Sequence, residues 1–105
     1  MILTTTDEVP GRVIAETFGL VRGSAVRGAH VGQDIMAKLK NFVGGELSEY
    51  TKLLAEAREQ ALDRMSAEAR ARGANGVVGV RFASSEIDSG AAEVLVYGTA
   101  VRLRD

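Results

Sequence analysis

Two rhythms divide this chain: apolar residues alternate with polar ones in some stretches and recur every three or four residues in others. From Arg12 to Arg27 the period is two. Val13, Ala15 and Thr17 fall on one side and Ile14, Glu16, Phe18 and Leu20 on the other, which predicts a strand with two unlike faces. That stretch is long for one strand, and Gly19, Gly23 and Gly28 mark the bends or breaks expected in it. Val77 to Ser85 alternates again, placing Val78, Val80 and Phe82 together against Val77, Gly79 and Arg81. Ala91 to Leu103 predicts a last strand with Glu93, Leu95, Tyr97, Thr99, Val101 and Leu103 opposed to Val94, Val96, Gly98, Ala100 and Arg102. Both faces of that strand are largely apolar. One helix layer covers one face, so the other calls for a second subunit. Met1 to Thr5 reads as a short extended or edge strand, Asp7 to Gly11 as a turn around Pro10, and Glu86 to Gly90 as another turn.

Between these strands the period lengthens to that of a helix. Ile35, Leu39 and Phe42, with Met36 and Val43 beside them, form a short apolar stripe over His30 to Phe42. After Gly44–Gly45 a long helix is predicted, left through Gly73 with an Asn75–Gly76 turn beyond it. Its stripe is Tyr50, Leu54, Ala57, Ala61, Met65 and Ala69, flanked by Leu47, Leu53 and Leu62. Alanines at three stripe positions predict a close approach to another element. The expected architecture is α+β in the order ββααββ: an antiparallel-rich sheet covered on one face by a short and a long helix.

Composition narrows the class without naming a reaction. A chain of 105 residues forms one domain, 1–105, with room for a small two-layer core. The net charge of −1 argues against a generic nucleic-acid binder. With no cysteine there is neither a disulfide framework nor a thiolate metal site. The sequence holds no apolar run of membrane-spanning length, and MILTTTDEVPGR lacks the features of a signal peptide, so a cytoplasmic protein is expected.

Several blocks (VRGSAVRG, DIMAKLKNFVGGE, GGELSEYT, AREQAL, RGANGVVGVRF and EVLVYGTAV) resemble, in order and spacing, those of the YbjQ-like family. The resemblance covers nearly the whole chain. It implies an α+β subunit similar to dodecin-like folds, assembled with copies of itself into a ring, typically a pentamer. It also implies a heavy-metal-binding label that rests on the family's name.

The candidate chemistry is sparse. Soft metals want thiolate, thioether or imidazole donors. The one histidine, His30, stands four residues before Asp34, so the pair shares a helix face if the helix starts early enough. Gly44–Gly45–Glu46 precedes a helix but lacks the Lys–Ser/Thr end of a phosphate loop, and reads as a tight corner. Glu46, Tyr50 and Arg58 are candidates for a polar seam or ligand site between subunits, with Arg58 suited to a carboxylate such as Glu93. Arg81, with Arg22 and Arg27, adds a candidate basic patch on strand text. No spacing suggests an activated nucleophile, so the expected role is binding or structural rather than enzymatic. A metal-binding module and a ligand or enzyme site between subunits are the alternatives.

Overall fold

The computed structural model describes residues 1–27, 47–88 and 91–105. The predicted short helix, His30, Asp34 and Glu46 lie outside the described residues. The elements are β1 (Ile2–Leu3), β2 (Val13–Arg27), α1 (Leu47–Ala71), β3 (Gly76–Asp88) and β4 (Ala91–Arg104). The four strands form one sheet in the order β1-β3-β4-β2. Both long pairings, β2 with β4 and β3 with β4, are antiparallel, while β1 lies parallel to β3. The architecture is therefore mixed α+β, with one helix among the described residues laid on the sheet.

Ala57, Ala61, Met65 and Ala69 recur every fourth residue and are fully buried, as the stripe requires. They pack on Val21, Ala25, Val77, Val80, Val94, Val96 and Ala100, with Phe18 and Leu62 at the margin. Leu54, expected in the same stripe, is only half-buried. The helix ends in a Schellman motif. The N–H of Ala74 donates to the carbonyl of Ala69 at 3.0 Å and that of Gly73 to Arg70 at 2.9 Å. Gly73 takes φ +90°, a left-handed value that costs other residues about 1 kcal/mol.

Of the expected Asn75–Gly76 turn, Asn75 is a bend and Gly76 already opens β3. Asn75 acts as a side-chain rung of the sheet: its Nδ2 donates to the Leu103 carbonyl at 2.9 Å, and its Oδ1 accepts the Leu103 N–H at 2.6 Å. Its backbone N–H also donates to Val101, and its carbonyl accepts from Ile2, each at 3.1 Å. Asn75→Ala should therefore cost about 1–3 kcal/mol, since it strips two partners from a part-buried strand end. Thermal unfolding of the variant would check this, and an unchanged melting temperature would contradict it. At the other end, β3 continues to Asp88, which pairs with Ala91, so strand replaces most of the expected turn at Glu86 to Gly90.

Alternation holds along β4 but not along its neighbours. Register shifts between Ile14 and Glu16, and between Thr17 and Gly19, mark bulges in β2. Ile14 and Phe18, expected on one side, consequently reach different clusters. In β3 the shift between Val78 and Arg81 centres on Gly79, whose φ of +62° suits a bulge residue without a Cβ. Val80 therefore joins Val77 under the helix, and Val78 turns to the other face.

That other face is covered at one end by the chain itself. Val78, Val101 and Leu103 are buried, with Ile2, Val9 and Ile14 packed against them. The Pro10–Gly11 turn, closed by the Arg12 N–H on the Val9 carbonyl at 3.0 Å, carries this cover back onto the sheet. A second subunit is thus not needed over the C-terminal part of β4, contrary to the sequence-based expectation. Its middle is a separate matter.

Candidate functional site on the open sheet face

Residues directly opposed on neighbouring strands share a face. Val21, Gly23 and Ala25 oppose Gly98, Val96 and Val94, all on the helix side. The alternate positions make the far face, row by row. Leu20, Thr99 and Val78 form one row, and Arg22, Tyr97 and Arg81 the next. Ser24, Leu95 and Ala83 follow, then Val26, Glu93 and Ser85. Away from the N-terminal cover this face is open: Leu20 is 58% exposed, Val26 48% and Tyr97 38%. Large apolar and aromatic side chains flanked by arginine have the composition of a protein interface core.

The two arginines that flank Tyr97 behave differently. Arg22 donates its backbone N–H to Glu68 but has no side-chain partner among the described residues. Arg81 turns its guanidinium to the sheet edge, where Nη1 donates to the carbonyls of Thr5 and Val80, both at 2.9 Å. It ties the N-terminal segment to β3, a structural role that its place in strand text did not reveal.

The remaining predicted residues do not converge. Tyr50 falls in the first turn of α1, and Arg58 is exposed on the helix. Glu93 is half-buried on the face of the sheet away from α1. The sheet separates Arg58 from Glu93, so that pairing is not made within one chain. Arg22 and Arg81 share a register row with Tyr97 between them, but the Arg81 guanidinium is held at the β1 edge of the sheet. A shallow cleft of about 360 Å³ lies along Glu8 to Ile14, where the Arg12 Nε stands 3.3 Å from Asp105. It has no set of convergent polar groups of the kind that fixes a small ligand. Sequence reasoning also missed Arg64, Glu68 and Arg72, whose spacing of four was visible but whose target was not.

Residues 1–104 match the YbjQ family model, whose description reads "Putative heavy-metal-binding". The chain belongs to the YbjQ-like family. It is 58% identical over 104 residues to a UPF0145 protein of Archaeoglobus fulgidus, covering 99% of this chain and 96% of that one. A UPF0145 protein of Thermus thermophilus is 53% identical, with 98% and 90% covered. One from Vibrio parahaemolyticus is 50% identical, with 98% of each chain covered. A crystal structure of a DUF74-family protein from Pediococcus pentosaceus has the same fold, with TM-score 0.62 over 99% of this chain and 98% of that one, at 17% identity.

Donor chemistry tests the metal description of the YbjQ-like family in this member. The chain has no cysteine and one histidine. Among the described residues no three His, Asp or Glu side chains stand close enough to share an ion. The described part of this YbjQ-like subunit therefore does not fit a heavy-metal site, and the two donors proposed from sequence, His30 and Asp34, lie outside it. Nor is any helix among the described residues long and apolar enough to cross a membrane.

Proposed function

We propose that this YbjQ-like chain is a binding or structural subunit of a homo-oligomer, and that it buries the open part of its far sheet face against a second copy. The observation that carries this reading is the exposed patch of Leu20, Tyr97 and Val26 on the sheet face turned away from α1. β2 has 15 residues and β4 has 14, about 50 Å of strand, so this face is long. The long dimension of the molecule, 54 Å, is consistent with those strand lengths. The patch also carries charge of both signs, Arg22 towards one end and Glu93 towards the other, so a second copy can satisfy each. The family resemblance adds the expectation of a ring, typically of five.

Sedimentation at micromolar concentration should give a mass several times that of one chain. Leu20→Glu and Tyr97→Glu sit at surface positions of the single subunit, so the fold should survive while the mass falls. A wild-type monomer would refute the proposal, and so would folded variants that keep the wild-type mass.

A further inference from the structure

Among the described residues β2 is an edge strand, and its outer backbone groups have no neighbouring strand in the sheet. Such an edge is a template for pairing with another strand. Here a row of helix side chains occupies it. Arg72 Nη1 donates to the carbonyls of Phe18 at 3.1 Å and Leu20 at 3.0 Å. Glu68 Oε2 accepts the N–H of Arg22 at 3.4 Å, and Arg64 Nη1 donates to the carbonyl of Ser24 at 2.5 Å. Glu68 Oε1 also accepts from Arg72 Nη2 at 2.9 Å, which couples two members of the row.

The match has a geometric basis. Four residues of helix rise about 6 Å, and two residues of strand about 6.8 Å. A helical row at i, i+4, i+8 running against the strand therefore stays in step with every second strand residue over three rungs. Arg72 meets Leu20, Glu68 meets Arg22, and Arg64 meets Ser24. Long side chains absorb the small mismatch. Donors and acceptors also alternate correctly, with guanidinium on carbonyls and carboxylate on N–H. Gln60 is one step further along the same row, and its buried Oε1 has no partner among the described residues.

We infer that Arg64, Glu68 and Arg72 act as a side-chain surrogate for a fifth strand and close the outer edge of β2 to strand addition. The row blocks this edge to the chain's own copies and to other extended peptides. It does not depend on the oligomer proposed above, which uses the sheet face.

The test compares wild type with Arg64→Ala/Arg72→Ala. The probe is a synthetic peptide of residues 18–26, FGLVRGSAV, whose sequence can pair antiparallel with the bared edge. The double variant should bind labelled peptide at least tenfold more tightly than wild type and form larger species on its own. Glu68→Ala, measured separately by amide hydrogen exchange, should speed exchange at Arg22 at least tenfold while other β2 amides hold. If circular dichroism shows the double variant unfolded, Arg64→Ala alone, which bares only the Ser24 carbonyl, is put through the peptide assay. A folded variant that binds peptide no better than wild type overturns the inference, as does unchanged exchange at Arg22 in Glu68→Ala.

Discussion

Replacing Gly23 with alanine should destabilise the fold by about 3 kcal/mol or more, at the upper end of the range for overpacked cores. A Cβ at this position would fall inside contact distance of the Ala61 carbonyl oxygen and the Met65 backbone nitrogen, with Arg64 Cβ at 3.0 Å. Two of these three atoms are backbone, so no rotamer change relieves the clash. Either α1 lifts off the sheet, or β2 bends away from β4. Lifting the helix would also open the contacts of Ala57, Ala61, Met65 and Ala69 together, which is why one methyl group has so large an effect. At roughly 4–8 °C per kcal/mol for a domain near this size, the melting temperature should fall by at least about 12 °C. Thermal unfolding followed by circular dichroism measures it. A loss under about 1 kcal/mol would show that the helix-to-strand approach is not a tight constraint.

Met65→Ala should cost about 2–5 kcal/mol, the range for deleting a large buried side chain. Met65 is fully buried and belongs to the cluster formed by α1 and three strands. Its stripe neighbours are alanines, so it is the one stripe residue in this cluster that fills volume rather than permitting approach. Truncation leaves a cavity that the alanines beside it cannot close. Denaturant unfolding should show a lower midpoint with an unchanged slope. Met65→Leu, which nearly conserves volume, should lose less than about 1.5 kcal/mol. Equal losses in the two variants would mean that side-chain shape rather than volume sets the cost at this site.

Local rhythm made part of this structure legible. The helix stripe could be read because Ala57, Ala61, Met65 and Ala69 repeat at a period that only a helix puts on one face. The faces of β4 could be read because that strand alternates without interruption from Val94 to Leu103. β2 and β3 were misassigned for the opposite reason: each bulge inserts a residue, and every face assignment beyond it changes. Gly19 hinted at a bend and Gly79 was read only as a face position, but a bulge is defined against a partner strand, and the partner is not local information. The alanines showed that the helix comes close to something, while Gly23, the residue it approaches, is 38 positions from Ala61 and read only as a bend. Likewise Arg64, Glu68 and Arg72 carried a readable spacing whose meaning depends on which strand lies at the edge. For the candidate site, the excess apolar surface of β4 was visible in its alternation. How it is divided was not, because that depends on Val9 packing onto Val101 and Leu103 from outside the sheet and on Ile14 standing beside Leu103 within it.

The central position of β4 has a consequence for how the fold is reached. Of the four strands it follows all the others in the chain, yet β2 and β3 both pair along it. Val13 pairs with Arg104 and Ile2 with Gly76, so apart from the β3–β4 hairpin the sheet is built from contacts of large sequence separation. High contact order of this kind slows folding. During synthesis β2 emerges long before its partner and stays without a ladder until β4 has been made. The sheet can be completed only once the last strand is available, because the fifteen residues of β2 take their described ladder from β4.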